Sequence, residues 1–208
     1  MSRYIGRANL RKRLEALEGA EGRSRYGAGA AIFELADETV VVRPPFGLAH
    51  EASYDDVRVA PLLAALGEDH VVGALLVRLG GFAVGVFEGE RLIASKVGTR
   101  NVHGRHRKGG SSANRFRRRR EEQAATLVEA AAATGARVLA PHIGRLEAVA
   151  LGGDRFAVRA TLAASRVLAG LEEKALPRFF TVPDPRHAVL ERLPYELYAA
   201  EVVRTPRP

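Results

Sequence analysis

The pattern of apolar and polar positions predicts a chain that mixes helices with strands. Its clearest β signal is a series of three apolar runs, over Val71–Leu79, Phe82–Glu88 and Arg91–Val97, separated by Gly80-Gly81 and Gly89-Glu90. Short connections that contain glycine between such runs are typical of β-hairpins. The pattern therefore predicts an antiparallel meander of three strands in the middle of the chain.

Shorter elements are predicted before this meander. Leu10, Leu14 and Leu17 recur at helical spacing, and apolar positions at such spacing indicate one buried helix face. The pattern predicts helices over Asn9–Glu18 and Val57–Leu66, strands over Ala30–Leu35 and Thr39–Arg43, and a turn-rich stretch over Gly22–Gly29.

After the meander a long helix is predicted over Ser112–Thr134, with Ser111 or Ser112 as its N-cap and Gly135 as its end. A second helix over Asp154–Ala169 would be capped by Asp154. The remaining predictions are strands over Val138–Ala140, Leu146–Leu151, Arg178–Val182 and Leu197–Val203, and a short helix over Asp184–Arg192.

These elements predict an α/β fold in which a mixed sheet is flanked by helices and a long basic glycine loop leads into a long helix. A chain of 208 residues fits one domain with a small extension. We expect residues 1–66 to form an α+β extension packed on the main domain, and residues 67–208 to form the main domain.

Composition narrows the functional classes. The chain has no Cys, which excludes disulfides, cysteine-ligated zinc and thiol catalysis. No apolar run reaches the roughly 18 residues of a membrane-spanning helix, and the N-terminus lacks the apolar core of a signal peptide. We therefore expect a cytoplasmic protein with no membrane partner, and we favour a monomer.

Positive charge is concentrated in the segment Thr99–Arg120, called the basic segment below. It holds nine of the 32 Lys and Arg residues and no acid, while the net charge of the chain is +8, so the remainder is nearly neutral. One reading is a solvated helix face with a loop. The other is a polyanion partner, since only a polyanion relieves the repulsion among so many cations.

RNA is the polyanion that fits this segment best. Cations are unfavourable in the first turns of a helix, where the dipole is positive, and a phosphate partner explains why they stand there. Only Phe116 accompanies them, so contact with the backbone of folded RNA is favoured over base stacking. The candidate RNA-binding residues are Arg100, His103, Arg105, His106, Arg107, Lys108, Arg115, Arg117, Arg118, Arg119 and Arg120.

Other chemistry in this segment is disfavoured. Gly110 stands where a phosphate-binding loop needs its Lys, so nucleotide binding is rejected. His103 and His106 have no evident third ligand, and no metal is expected. Glu121 and Glu122 follow the arginines and are expected to pair with them along the helix.

The run Gly109-Gly110-Ser111-Ser112-Ala113-Asn114-Arg115-Phe116-Arg117-Arg118 resembles the catalytic loop and following helix of the middle domain of eukaryotic and archaeal class-1 peptide release factors. That family carries Gly-Gly-Gln-Ser-Ala-Leu-Arg-Phe-Ala-Arg at this place. The preceding residues Ser95–Arg100 look more like the Vms-like release factors, relatives of the eukaryotic quality-control enzyme that frees nascent chains from stalled large subunits. The chain most resembles an actinobacterial branch of that family, and the motif similarity covers about Lys96–Gln123.

The resemblance implies a peptidyl-tRNA hydrolase whose Gly-Gly loop enters the peptidyl-transferase centre. Its partners would be large-subunit rRNA and peptidyl-tRNA, it would need no cofactor, and its catalytic residues would be Gly109, Gly110, Ser111 and Ser112. Release factors place Gln directly after the Gly pair, and this chain has Ser111 there. Two alternatives therefore stay open: a non-catalytic ribosome- or tRNA-binding factor that lost the Gln, and a general RNA-binding module.

Overall fold

The structure is a computed structural model that describes residues 2–99 and 112–207, with side chains in the long helix described from residue 118 onward. The strands are β1 Ser2–Ile5, β2 Gly22–Gly27, β3 Ala30–Leu35, β4 Glu38–Arg43, β5 Ala52–Tyr54, β6 Val71–Arg78, β7 Gly81–Glu88, β8 Arg91–Thr99, β9 Ala148–Gly153 and β10 Ala200–Pro206. The helices are α1 Arg7–Glu15, α2 Ala60–Gly67, α3 Ser112–Leu139, α4 Arg155–Ala163, α5 Arg166–Ala169 and α6 His187–Leu197.

The chain divides into two compact units. Unit 1 comprises residues 1–69 and 193–208, and unit 2 comprises residues 70–192, so the second division falls within α6. The boundary expected from the sequence lay at residue 66 and assigned everything after it to one main domain. The structure differs at the C-terminus, because β10 belongs to the sheet of unit 1.

Unit 1 is built on an antiparallel sheet in the order β1-β10-β4-β3-β2-β5. Leu14 of α1 and Leu62 of α2 pack with Phe33 and Val42 of the sheet in one buried cluster. Pro61 stands in the first turn of α2, where a missing N–H leaves no helical hydrogen bond unmade. The prediction of turns over residues 22–29 was wrong for β2, whose alternating Arg and buried Ser24 and Tyr26 pair with β3.

Unit 2 is built on a mixed sheet in the order β8-β7-β6-β9. The predicted meander of β6, β7 and β8 is confirmed, with Leu79-Gly80 and Gly89-Glu90 as its two turns. Strand β9 runs parallel to β6, so β6, β8 and β9 all finish at one end, called the carboxyl end of the sheet. Val77 of β6 and Val84 of β7 belong to one buried cluster with Leu127 of α3 and Leu162 of α4.

The predicted fold class, a mixture of helices and strands with sheets flanked by helices, is confirmed. The predicted end of the long helix was wrong: α3 continues through Gly135 to Leu139, so residues 138–140 form no strand. Gly135 packs closely against Leu168, because a Cβ at Gly135 would lie 3.1 Å from Leu168 Cδ1 and that side chain would have to shift. Among the described residues, no helix is long and apolar enough to cross a membrane.

Two further predictions were partly corrected. The helix expected over Asp154–Ala169 divides into α4 and α5, although Asp154 does cap α4 by accepting a hydrogen bond from Ala157 N at 2.8 Å. The strand expected over Arg178–Val182 is reduced to one isolated bridge between Gly152 and Phe180.

Candidate functional site

Strand β8 delivers the chain to the basic segment. It pairs with β7 from Glu88–Arg91 to Phe82–Gly98 and Gly81–Thr99, with one irregularity between Val86 and Phe87. A Cβ at Gly98 would lie 2.4 Å from Phe82 Cζ, far inside normal contact distance. The buried Phe82 ring therefore occupies the space beside Gly98, and the end of β8 is held against the sheet core.

Helix α3 begins within the basic segment, whose last nine residues form its first turns, and the described side chains of this part are not buried. Residues 118–122 are all exposed, although they span more than one helical turn, and among the helix side chains described from residue 118 onward Leu127 is the first that is buried. A helix lying on a sheet buries a residue every three or four positions. The distance from Ser112 to Leu127 is about 22 Å along the helix axis.

Contacts at the far end of α3 fix its direction. A Cβ at Gly73 would lie 3.3 Å from Leu139 Cδ2, and one at Gly135 would lie 3.7 Å from Leu75 Cδ1. The helix therefore runs antiparallel to β6. Leu127 lies about 18 Å before Leu139, and β6 extends only about 16 Å beyond Gly73, so the first turns of α3 pass beyond the carboxyl end of the sheet.

The described cations of this region are exposed. Arg118, Arg119 and Arg120 all face solvent, and Arg120 does so although it lies seven residues before Leu127 on the same side of the helix. The side of α3 that packs on the sheet at Leu127 thus carries an exposed cation, Arg120, two turns earlier. This arrangement presents positive charge in several directions around one helix.

The other predicted site residues are placed only in part. Gly109, Gly110, Ser111, Arg100, His103, Arg105, His106, Arg107 and Lys108 lie outside the described residues. Ser112, Arg115 and Arg117 belong to α3, and their side chains are likewise outside the description.

Two ionic groups of unit 2 stand at the opposite end of the sheet. Glu147 accepts hydrogen bonds from Val71 N at 2.9 Å and interacts with His70 Nδ1 at 2.7 Å. These two contacts, the backbone N–H first, hold the pKa of Glu147 below its ordinary value. The group joins the start of β6 to the residue before β9, so its role is to hold the sheet together.

Glu88 forms the second ionic group. It is bound by Arg145 and Arg91, and these guanidinium groups, Arg145 first, lower the pKa of its carboxyl. Because Glu88 ends β7, it lies at the same end as Glu147. Across residues 2–99 and 112–207, no three His, Cys, Asp or Glu side chains are grouped so that they could hold a metal ion.

Sequence reasoning did not identify the Phe82–Gly98 contact. Counting symmetrically from the Gly89-Glu90 turn pairs Phe82 with Val97, and an irregularity between Val86 and Phe87 shifts the register by one residue to Gly98, so hairpin symmetry alone does not identify this pair. A glycine directly opposite an aromatic residue in an antiparallel pair leaves room for the ring to lie over the backbone.

Comparison with known proteins gives one family match. The model of the actinobacteria/chloroflexi VLRF1 release factor family matches residues 70–203, which is more than half of the chain. None of the curated proteins matches it.

The solved structures that are similar to this chain include two at low identity. The crystal structure of the archaeal translation termination factor aRF1 is 14% identical with a TM-score of 0.41, and the match covers 77% of this chain and 50% of that one. This chain therefore spans half the length of that factor. A structure described as an archaeal protein is 13% identical with a TM-score of 0.42, covering 93% of this chain and 73% of that one.

Proposed function

The chain belongs to the actinobacteria/chloroflexi VLRF1 release factor family, and on that premise we propose that it is a peptidyl-tRNA hydrolase. It frees nascent chains from ribosome-bound or stalled peptidyl-tRNA. Family membership supports a release-factor-like role in translation and association with the ribosome. The proposed partners are large-subunit rRNA and peptidyl-tRNA, and the proposed place of action is the cytoplasm.

The observation that carries this proposal is the position of β8 and α3, the two elements that the basic segment connects. Strand β8 ends beside the sheet core, while the first turns of α3 extend beyond the sheet with Arg118, Arg119 and Arg120 exposed. This arrangement of strand and helix suits a cationic loop that must reach away from its domain. Each phosphate that an arginine neutralises releases counterions, which favours binding to densely charged rRNA.

The proposed chemistry assigns the tip to Gly109, Gly110, Ser111 and Ser112. The two glycines let the backbone approach the ester closely, and a backbone N–H near Ser111 stabilises the oxyanion. Water bonds to the ester carbonyl carbon, the bond from that carbon to the tRNA oxygen breaks, and the leaving oxygen takes a proton. The products are a free peptide acid and deacylated tRNA, and no cofactor takes part.

Binding is assigned to the cations around the tip. The proposed RNA-binding residues are Arg100, His103, Arg105, His106, Arg107, Lys108, Arg115, Arg117, Arg118, Arg119 and Arg120. They hold the loop among rRNA phosphates, and the RNA supplies much of the remaining positioning of the ester.

A second candidate function rests on one specific observation. Ser111 stands where release factors carry Gln, and the nearest Gln is Gln123, which lies about 17 Å along α3 from its first residue, Ser112. A factor that needs the Gln side chain to place water would bind ribosomes or tRNA without releasing the peptide. The candidate is therefore a non-catalytic ribosome-binding factor.

Release of labelled peptide from peptidyl-tRNA on 50S and 70S particles separates the two. Gly110→Ala tests the tip, and Gly144→Ala is its matched control, because a Cβ at Gly144 meets no atom within 4 Å. We expect release by the parent chain and by Gly144→Ala, and a fall of at least tenfold for Gly110→Ala.

The contrary outcomes are distinct. Binding to ribosomes with no release above the Gly110→Ala level would replace the hydrolase by the binding factor. Equal affinity for ribosomes and for arbitrary duplex RNA would overturn both and favour a general RNA-binding module.

A further inference from the structure

A second basic surface lies on α4, outside the basic segment. Its solvent side carries Arg155, Phe156, Arg159, Ala160 and Ala163, all exposed, and is called the α4 outer face. Helix α4 contains two Arg residues and no acid. Phe156 is 83% exposed, more than any other large apolar side chain in the described part of the chain.

The exposure of Phe156 follows from the helix pattern. Val158, Thr161 and Leu162 are the buried positions of α4, and they lie on the opposite side from Phe156. The residues four and seven positions after Phe156 are Ala160 and Ala163, whose methyl groups are too short to cover an aromatic ring. The ring is therefore open to solvent, although burying it would be favourable.

Arginine side chains are arranged next to this ring. The Arg155 guanidinium lies 4.2 Å from the centroid of Phe179, and such stacking limits the orientations of its planar fork. Arg159 lies one helical turn after Phe156 on the same exposed side. Asp154 precedes them, but its carboxylate oxygen is already bonded to Ala157 N as the cap of α4.

The α4 outer face begins at the carboxyl end of the unit 2 sheet. Asp154 N donates to Val77 O at 2.7 Å, which places the start of α4 beside the end of β6. Strand β8 finishes at that same end, where Thr99 pairs with Gly81. The second basic surface thus starts at the end of the sheet from which the basic segment departs.

We propose that the α4 outer face binds an unpaired nucleotide of RNA, with the base stacked on Phe156 and the adjoining phosphates held by Arg155 and Arg159. An aromatic ring flanked by cations is the arrangement that proteins use to bind single-stranded nucleic acid. The basic segment, with nine cations and one aromatic residue, is suited instead to phosphates of folded RNA. This inference goes beyond peptide release and does not depend on it.

The test compares two labelled RNA oligonucleotides of 12 nucleotides, one complete and one abasic at every position, in a binding titration with the whole chain. The basic segment binds phosphates in both, so the ratio of the two affinities reports base stacking alone. We expect the parent chain to prefer the complete strand by roughly tenfold, the order that stacking of one base supplies.

Variants at Phe156 test whether the preference for the complete strand comes from stacking on this ring. Phe156→Ala and Phe156→Leu should abolish the preference, while Phe156→Trp should retain it, because only Trp presents a ring face. Tyr195→Ala is the matched control, since Tyr195 is an aromatic side chain of α6 with 77% exposure. Phe156→Ala is expected to melt within about 2 °C of the parent, since little buried area is lost.

Three results would overturn the proposal. The first is equal affinity of the parent chain for both strands. The second is a preference that Phe156→Ala retains or that Tyr195→Ala loses. The third is weaker binding of Phe156→Ala to 50S particles with an unchanged preference for the complete strand, which would assign the face to a protein partner.

Discussion

The ring of Phe82 lies where a side chain of Gly98 would otherwise stand, 2.4 Å from the position of a Cβ. The two residues are direct partners in the β7–β8 pair, and Gly98 is the last residue but one of β8. The point at which the chain leaves the sheet for the basic segment is therefore fixed by one aromatic residue and the absence of one side chain.

Replacing Gly98 by Ala should lower the free energy of unfolding by about 1–3 kcal/mol, because the added methyl group displaces a buried ring. Gly27→Ala is the control: Gly27 ends β2, and a Cβ there meets nothing within 4 Å. Chemical denaturation measures both changes. In a Phe82→Leu background the cost of Gly98→Ala should fall by at least about 0.5 kcal/mol, and strictly additive costs would contradict the proposed contact.

Reversing one charge at the start of α3 should weaken binding to ribosomes and leave the fold intact. For Arg118→Glu we expect a several-fold loss of affinity and a salt slope smaller by about 1, because at least one phosphate contact is lost. Arg137→Glu is the matched control, since Arg137 is also exposed but lies near the other end of α3. Binding titrations at several salt concentrations measure the slope. Equal losses for the two variants would mean that general charge, and not position, governs binding.

Acid should weaken unit 2 through Glu147. Its pKa is lower in the folded chain, mainly because Val71 N–H donates to it, so its stabilising contribution is complete above the ordinary value of 4.5. That contribution is lost as the pH falls through the depressed pKa. Glu147→Gln should therefore cost on the order of 0.5 kcal/mol at pH 7, since the group is half exposed, and nearly nothing at pH 2.

Denaturant unfolding of parent and variant at the two pH values measures this difference. Glu129→Gln, an exposed glutamate of α3, controls for the loss of one negative charge. A cost for Glu147→Gln that is the same at both pH values would show that the carboxylate charge contributes nothing.

Removing the cap of α4 should destabilise the chain modestly. Asp154→Ala leaves Ala157 N–H without its 2.8 Å partner, and loss of such a cap costs about 1 kcal/mol. Ser165→Ala is the paired control, because Ser165 precedes α5 without making a capping hydrogen bond through its side chain. Thermal melting should place Asp154→Ala below Ser165→Ala, and the reverse order would refute the role of the cap.

Local patterns in the sequence predicted the elements that depend on residues close together along the chain. The β6–β7–β8 meander was predicted because apolar runs and Gly-containing turns are adjacent along the chain. Gly135 misled for a tertiary reason: its usual meaning is a helix end, but contact with Leu168 explains why it stands within α3. Strand β10 was predicted as a strand, yet its position between β1 and β4 depends on pairing across about 160 residues, which periodicity does not report.

The positive charge of the candidate site could be predicted from the sequence, but the geometry of its flanking elements could not. Nine cations without an acid indicate RNA from the sequence alone. That α3 passes beyond the sheet follows only from where Leu127, Gly135 and Leu139 meet the strands. The exposure of Phe156 was likewise hidden, because an aromatic residue at helical spacing is ordinarily expected in a core.

The position of β10 between β1 and β4 has a consequence for the order of events during synthesis. Residues 1–69 leave the ribosome long before residues 200–206, so β1 and β4 must wait for the strand that joins them. Unit 2 has all its strands between Val71 and Gly153 and meets no such delay. We therefore expect the strands of unit 2 to pair before β10 takes its place between β1 and β4, so that the sheet of unit 1 is the later of the two to be completed.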